Sequence, residues 1–177
     1  MFVCTGNICR SPYAERYAAL LAARAGRTDW TFSSSGIGAL VGDPMDGEML
    51  AELASRGGSG EGFAARQFDG PLLERVDWVV VMERHHRTWI VEDHPRLFRR
   101  VVTLGQLTTG LSRIPSVDQG GPVGAEALVA AVMAQPGPVE GEDVPDPYRR
   151  GADVSAQTAR RISADLDAIL QRVFATA

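Results

Sequence analysis

The sequence predicts an α/β fold in which helices cover both faces of a parallel sheet. Short apolar segments rich in β-branched residues alternate along the chain with longer segments of helical periodicity, the pattern of a doubly wound sheet. Residues 78–82 form a continuous apolar run, which is typical of a parallel strand buried on both faces. Because ligands of such folds bind beyond the carboxyl ends of the strands, we look for functional residues there.

The first predicted strand, residues 1–3, leads directly to Cys4 and is followed by a loop and a helix. Ser11 is a favoured helix-capping residue and the proline after it suits a first helical turn. The helix is therefore expected to begin at this point and to end near Gly26, since glycine commonly ends helices. Residues 30–34 are aromatic and β-branched or small, and they predict the second strand.

The rest of the chain continues the alternation of helices and strands. Asp43 and the proline after it predict the start of a helix that ends near Gly57. The pattern then predicts a short helix, two further strands and a long C-terminal helix, at residues 70–75, 78–82, 101–104 and 153–173.

The loop after the first strand has the features of an anion-binding cradle. A tight loop that enters a helix N-terminus directs several N–H groups into one concavity, and the helix dipole adds positive potential. Arg10 follows Cys4 after five intervening residues, and its planar guanidinium can hold two phosphate oxygens. The same potential favours the thiolate form of Cys4. A thiolate beneath a bound phosphoryl group is a nucleophile.

This loop resembles the phosphate-binding loop of the low-molecular-weight protein tyrosine phosphatases. The resemblance rests on nine consecutive residues, Cys4-Thr5-Gly6-Asn7-Ile8-Cys9-Arg10-Ser11-Pro12. A second match lies far along the chain, where Val144-Pro145-Asp146-Pro147-Tyr148 resembles the general-acid loop of that family. Three further matching segments, residues 33–36, 65–67 and 79–83, fall in the family's order.

The resemblance implies a four-stranded parallel sheet in the order 2-1-3-4, with the phosphate-binding loop after strand 1. It covers nearly the whole chain and implies a single phosphatase domain over residues 1–177. Residues 111–141 depart from the family and are rich in Gly, Pro and Ser. Because residues 125–133 inside this segment are strong helix formers, a loop–helix–loop insertion is expected there.

The resemblance also implies a role for each matching residue. Cys4 would attack the phosphorus of phosphotyrosine, Arg10 would hold the phosphate oxygens, and Asp146 would act as general acid and then as general base. The other loop residues would bind phosphate, namely Thr5, Gly6, Asn7, Ile8, Cys9 and Ser11. Ser11 is further expected to form a hydrogen bond with the sulfur of Cys4. No metal and no cofactor are required.

Two residues are expected to line the substrate cleft. Tyr148 would stack on the substrate ring, and Leu40 stands in the loop that forms the opposite wall in the family. Phe63 stands where many members have a histidine that braces the asparagine of the phosphate loop. Asn7 is therefore expected to find other partners, among Ser34, Ser35 and Ser11.

Cys9 carries a second hypothesis, for which the family offers a precedent. On oxidation, Cys4 and Cys9 would form a disulfide that protects Cys4 from irreversible oxidation. The alternative is that Cys9 only fills space in the loop.

Three other functions compete with tyrosine phosphatase. Thioredoxin-linked arsenate reductases share the fold and loop but use further cysteines downstream, and this chain has none after Cys9. Protein-arginine phosphatases resemble a version of the loop with Thr in place of Ile8, and the bulkier Ile8 favours tyrosine. A phosphate-binding regulator without activity would be expected to lose Cys4, Arg10 or Asp146, and all three are present.

Composition bears on the partners and the cellular location of the protein but does not identify its substrate. The net charge of −4 gives no indication of nucleic-acid binding, and the apolar runs are too short to cross a membrane. Two cysteines five positions apart suggest a reducing, cytoplasmic location. The implied partner is a phosphotyrosine protein, with a bacterial tyrosine kinase as one candidate. His85, His86 and His94 are expected to be solvated helix residues.

Overall fold

The computed structural model describes residues 1–73, 75–135 and 141–175. Its centre is a parallel sheet of four short strands in the order β2-β1-β3-β4, as predicted. The strands are β1 (Phe2–Cys4), β2 (Ser34–Gly36), β3 (Val79–Val81) and β4 (Val101–Thr103). The helices are α1 (Arg10–Arg24), α2 (Gly47–Ala54), α3 (Gly70–Leu73), α4 (Arg84–Asp93), α5 (Leu104–Ser112), α6 (Ala125–Met133) and α7 (Ala152–Phe174).

Alternate residues of the strands enter different halves of the core. Phe2, Val80 and Val102 belong to a large cluster that includes the apolar faces of α1 and α7. Val3 and Val79 belong to a smaller cluster that includes Ile90 of α4. Both faces of the sheet are therefore covered, which explains why its central strand reads as a continuous apolar run.

Helix α7 carries its apolar residues at helical spacing, as predicted. Ile162, Leu166, Ile169 and Leu170 are all buried against the core, because spacings of three and four residues place side chains on one helix face. The hydroxyl groups of Tyr13 in α1 and Ser163 in α7 lie 2.7 Å apart. This pairing satisfies two buried polar groups where the helices cross.

The structure differs from the sequence prediction at the starts of two helices. Helix α1 begins at Arg10, one residue before Ser11, so the Ser11 hydroxyl does not cap the helix. Helix α2 begins at Gly47 and not at Asp43, because the Asp46 carboxylate accepts hydrogen bonds from the N–H groups of Glu48 and Met49, each at 3.1 Å. The backbone N–H of Asp46 also donates to the carbonyl oxygen of Ile8 at 2.9 Å, so the residue that fixes the start of α2 contacts the loop after β1.

The second strand lies at Ser34–Gly36, later than the predicted residues 30–34. Trp30 and Phe32 precede the strand and stack on one another with ring centroids 6.2 Å apart. A side chain at Gly36 would place its Cβ 2.3 Å from the carbonyl oxygen of Thr5. Only glycine therefore allows the end of β2 to lie so close to the loop after β1.

The segment at 111–141 contains the helix that its composition predicts. Helix α6 covers the predicted residues and packs on α5, a helix that the sequence analysis did not predict. Gly110 of α5 allows this approach, since a Cβ there would lie 2.5 Å from a methyl group of Val132. Residues 136–140 of the predicted insertion lie outside the described residues. The organisation of residues 1–177 as a single domain stays a prediction.

Candidate active site

The loop after β1, residues 5–9, wraps around a concavity at the carboxyl end of the strand. Its carbonyl groups point outward: those of Thr5, Gly6 and Ile8 accept hydrogen bonds at 2.9–3.0 Å from the N–H groups of Gly38, Leu40 and Asp46. By contrast, the N–H groups of Gly6, Ile8 and Cys9 donate to no acceptor in the described ranges. Free donors that converge in one loop form a site for an oxyanion.

Asn7 holds this loop in shape from the inside. Its backbone has φ 54°, in the left-handed region, and its side chain is fully buried. Its amide donates to Ser11 Oγ at 2.9 Å and to Ser34 Oγ at 2.8 Å. Two of the three expected partners are thus present, while Ser35 instead accepts from Ser11 through its carbonyl at 3.3 Å.

One partner of Asn7 was not anticipated. The backbone N–H of Arg66 donates to Asn7 Oδ1 at 2.8 Å. Phe63, which replaces the bracing histidine of other members, does not contact Asn7 but lies under the guanidinium of Arg16, 5.7 Å from the ring centroid. A backbone donor was invisible to sequence reasoning, because every residue except proline carries one.

Cys4 lies at the floor of the concavity, with 2% of its surface exposed. Its sulfur is 3.0 Å from Ser11 Oγ. The Asn7 amide donates into the same hydroxyl oxygen, and the one Ser11 proton has two acceptors in reach, the sulfur at 3.0 Å and the carbonyl oxygen of Ser35 at 3.3 Å. The Ser11 hydroxyl is thus placed to donate a hydrogen bond to the Cys4 sulfur.

Arg10 brings together residues that are far apart in sequence. Its side chain is 1% exposed, and one terminal nitrogen donates to Glu83 Oε1 and, at 2.9 Å, to the carbonyl oxygen of Val144. Its other terminal nitrogen lies 3.0 Å from Asp146 Oδ2. The Nε atom is buried and lacks a partner among the described residues, so it remains available to an oxyanion in the loop.

Glu83 and His86 are site residues that the sequence analysis missed. Glu83 pairs with Arg10, and His86 Nε2 lies 3.0 Å from the hydroxyl of Thr5. The available signal was position: Glu83 follows the buried strand β3, and His86 lies three residues later at the start of α4. Both residues therefore follow β3 at its carboxyl end, and β3 is paired with the strand that leads into the loop.

The expectation that all three histidines are solvated is wrong for His86. His86 is fully buried, and burial, together with the nearby His85 and Arg10, lowers its pKa to about 3. It is therefore neutral at ordinary pH. His85 is exposed and pairs with Glu83, whereas His94 is half-buried against the ring of Phe68.

The rim of the concavity is more open than its floor. The Asp146 side chain is 47% exposed, while Tyr148 and Leu40 are 38% and 39% exposed. The N–H of Tyr148 donates to Asp146 Oδ1 at 3.2 Å, which fixes the turn between them. The guanidinium of Arg149 lies 5.0 Å from the centroid of the Tyr148 ring, and Leu40 is joined to the loop through Gly6.

Cys9 is the second cysteine of the loop and is almost fully buried. Burial, with smaller contributions from Asp46 and other nearby negative groups, raises the pKa of its thiol far above the usual range. Cys9 is thus held in the neutral form, unlike a reactive cysteine.

Comparison with known proteins identifies the family. The family model for low molecular weight phosphotyrosine protein phosphatases matches residues 1–116. The chain belongs to this family. The resemblance inferred from the loop is confirmed, and with it the prediction of a phosphatase.

Relatives and solved structures agree with this assignment. The chain is 34% identical over 105 residues to the low molecular weight protein-tyrosine-phosphatase Wzb of Escherichia coli K12, covering 59% of this chain and 68% of that protein. It is similar to the low molecular weight protein tyrosine phosphatase of T. tengcongensis, with a TM-score of 0.73 and 25% identity over 96% of this chain and 95% of the other.

The YwlE arginine phosphatase of Geobacillus stearothermophilus has the same fold. Its TM-score is 0.74 at 20% identity, over 98% of this chain and 90% of the other. The family fold is therefore shared by proteins with different substrates, and the substrate has to be argued from the site.

Proposed function

We propose that this chain hydrolyses phosphotyrosine in proteins through a phosphocysteine intermediate, with Cys4 as nucleophile and Asp146 as acid and base. The observation that carries the proposal is the meeting of three groups at one concavity. Cys4 lies at its floor beside Ser11, and Arg10 reaches from the same loop to Asp146, which approaches from a distant segment. A nucleophile, an oxyanion clamp and a proton donor are the parts that this reaction requires.

In the first step, the Cys4 thiolate attacks the phosphorus and forms a sulfur–phosphorus bond. The bond between phosphorus and the tyrosine oxygen breaks, and protonated Asp146 gives its proton to that oxygen. The free N–H groups of the loop and the unpaired Nε of Arg10 hold the three phosphoryl oxygens. These donors are fixed before the reaction, so they stabilise the transition state without reorganisation.

In the second step, Asp146 takes a proton from water, and the water oxygen attacks the phosphorus. The sulfur–phosphorus bond breaks, inorganic phosphate leaves, and Cys4 returns as a thiolate. Ser11 stabilises the departing sulfur through the contact at 3.0 Å. Every proton and electron pair is thus accounted for by Cys4, Asp146 and water.

Arg10 changes partners during the cycle. Without phosphate it is paired with both Glu83 and Asp146. A bound phosphate dianion offers stronger acceptors to the guanidinium, so Asp146 is released from Arg10 and becomes available as a proton donor. Glu83 stays on the far side of Arg10 and keeps the guanidinium plane in position.

The depth of the site favours an aryl phosphate. The nucleophile is 2% exposed, whereas Tyr148 and Leu40 at the rim are 38% and 39% exposed. A phosphate on a long, flat side chain can reach the floor while its ring contacts the rim. Tyr148 offers a ring face for stacking, which supports phosphotyrosine over phosphoserine.

The test is steady-state hydrolysis of p-nitrophenyl phosphate without added metal, by the native chain and by Cys4→Ser. We expect turnover in the native chain and loss to background in Cys4→Ser. Trapping of a phosphorylated cysteine by acid quenching would identify the intermediate. Turnover that persists in Cys4→Ser would refute the proposed nucleophile.

A second assay separates the substrate classes. Phosphotyrosine and phosphoarginine peptides of the same sequence are compared by their kcat/KM. We expect the phosphotyrosine peptide to be preferred, because Ile8, which is buried in the loop, leaves less room than Thr at this position. A preference for phosphoarginine would assign the chain to the arginine phosphatases, and binding of phosphate without turnover would indicate a regulator.

The setting of the reaction is part of the proposal. We place the activity in the cytoplasm, on phosphotyrosine proteins that include a bacterial tyrosine kinase. The relative Wzb is itself described as a protein-tyrosine phosphatase. Within the described part of the chain, no helix is long and apolar enough to cross a membrane.

A further inference from the structure

Three side chains that commonly bind metals meet beside the phosphate loop. Glu83, His85 and His86 each offer one ligand atom, and the three atoms lie within 4.8 Å of one another. They lie at the end of β3 and the start of α4. In the proposed reaction none of them contacts substrate: Glu83 acts through Arg10, and His86 acts through Thr5.

The buried ring of His86 has one nitrogen without a partner. Its Nε2 atom is paired with the Thr5 hydroxyl at 3.0 Å, but its Nδ1 atom is buried and has no hydrogen bond to any described residue. A buried polar atom without a partner is costly, and native proteins rarely keep one. This orphaned nitrogen suggests a ligand that the protein alone does not supply.

The Thr5 contact orients His86 as metal-binding histidines are oriented. When Nε2 carries the proton, it donates to the Thr5 oxygen and leaves a lone pair on Nδ1. Histidines that bind metals almost always use their other ring N–H in this way, on a nearby oxygen. The Thr5 contact therefore holds the ring plane, and because a hydroxyl can accept as well as donate, it is compatible with the tautomer that a metal ion would need.

Glu83 has one carboxylate oxygen for each neighbour. Its Oε1 atom accepts from Arg10, and its Oε2 atom lies 3.2 Å from His85 Nδ1. The ring of His85 is exposed and can turn to share an ion with Oε2. Ligand atoms on a tetrahedral zinc ion with bonds of about 2.0–2.1 Å lie about 3.3 Å apart, a spacing that small side-chain rotations can reach.

We propose that Glu83, His85 and His86 form a binding site for a divalent transition metal, with Zn²⁺ as the best fit. Two imidazoles and one carboxylate suit zinc, whereas Mg²⁺ prefers oxygen ligands alone. Three protein ligands would leave a fourth tetrahedral position for water. The site is separate from the hydrolytic reaction, which uses no metal, but it contacts the phosphate loop through Arg10 and Thr5.

The test is calorimetric titration of the full chain with zinc chloride in a buffer without chelators. We compare the native chain with His85→Ala, which removes an exposed ligand and leaves the buried core intact. His94→Ala is the matched control, since it removes a histidine at the other end of α4. Cys4→Ser is the second control, because a thiolate at the floor of the site is the competing zinc ligand.

We expect one zinc ion per chain, at least tenfold weaker binding in His85→Ala, and binding within twofold of native in both controls. Magnesium chloride should give no binding heat. Cobalt(II) offers a second measurement, and its spectrum should lack thiolate-to-metal charge transfer. Native-like binding in His85→Ala, loss of binding in Cys4→Ser, or no zinc binding by the native chain would each overturn the proposal.

Discussion

The floor and the rim of the active site are built on different principles. At the floor, Cys4, Asn7, Arg10 and Ser11 are all at most 2% exposed. Hydrogen bonds join the side chains of Cys4, Ser11 and Asn7, while Arg10 is held by Glu83 and by the carbonyl oxygen of Val144. At the rim, Asp146, Tyr148 and Leu40 are between 38% and 47% exposed. The floor is rigid because buried polar groups have to be satisfied together, whereas the rim has no such constraint.

This difference separates chemistry from recognition. Changes at the floor should damage both catalysis and folding, because each side chain there has several buried partners. Changes at the rim should alter substrate affinity or proton transfer and leave the fold intact.

The largest effect is expected for Arg10→Lys. Lysine has no planar fork and cannot hold two phosphate oxygens while it stays paired with Glu83. We expect kcat for p-nitrophenyl phosphate to fall about 10³-fold, the upper range for loss of an oxyanion donor. Arg150→Lys is the rim control, since its contact with the Asp146 carbonyl oxygen is long, at 3.4 Å. If both variants lost activity equally, the distinction between floor and rim would fail.

A smaller and more selective loss is expected for Asp146→Asn. We expect the rate to fall about 10²-fold, the lower end of the range for loss of a general acid, and the loss should be greater for phosphotyrosine than for p-nitrophenyl phosphate. Tyrosine is the poorer leaving group and depends more on protonation. Equal losses for the two substrates would argue against Asp146 as the acid.

Asp143→Asn is the matched control for that experiment. Asp143 lies three residues earlier and accepts from the N–H of Arg84 at 2.7 Å, away from Arg10. We expect its rate to stay within twofold of native. A loss as large as that of Asp146→Asn would show that the charge of this segment matters, and not the identity of the acid.

The sequence predicts the residues of the phosphate loop better than the residues that contact the loop from other parts of the chain. The floor is encoded in nine consecutive residues, so Cys4, Arg10 and Ser11 could be predicted and are found together. Glu83 and His86 could not, because their importance depends on tertiary contacts with Arg10 and Thr5 and on the burial of His86. The Arg66 contact with Asn7 is made by backbone and carries no sequence signal.

In the fold, the order of the strands and the type of each element could be predicted better than the residues at which the elements begin. The strand order follows from the family resemblance, and the long apolar stripe of α7 follows from helical periodicity. The start of β2 was placed too early because aromatic residues favour strands locally, although here Trp30 stacks on Phe32 before the strand begins. The close approach of Gly36 to Thr5, which sets the true position, is a tertiary contact that local propensity cannot contain.

Asn7→Ala tests the floor through stability. The change removes the partner of Ser11, Ser34 and the Arg66 amide, and it places alanine, which tolerates the left-handed region less well than asparagine, at φ 54°. We expect the free energy of unfolding to fall by about 3 kcal/mol, as for buried polar groups left without partners. Val41→Ala, at an exposed rim position, should change it by less than about 0.5 kcal/mol. Urea unfolding followed by circular dichroism measures both.

Cys9→Ser tests the redox hypothesis for the floor. If Cys9 forms a disulfide with Cys4 on oxidation, the variant should recover several-fold less activity after hydrogen peroxide and dithiothreitol than the native chain. The raised pKa of Cys9 predicts that its thiol reacts slowly with iodoacetamide at neutral pH. Equal recovery of activity in both proteins would mean that Cys9 only fills space in the loop.

The smallest effect is expected for Tyr148→Ala at the rim. Loss of an aromatic stacking partner costs about 1 kcal/mol, which corresponds to a roughly fivefold rise in KM for a phosphotyrosine peptide at unchanged kcat. Tyr148→Phe keeps the ring beside Arg149 and should behave as the native chain does. A fall in kcat with KM unchanged would mean that Tyr148 instead orients Asp146, to which its own N–H donates at 3.2 Å. In that case Tyr148 would take part in proton transfer through Asp146 as well as in substrate binding, and a residue of the rim would contribute to the chemical step.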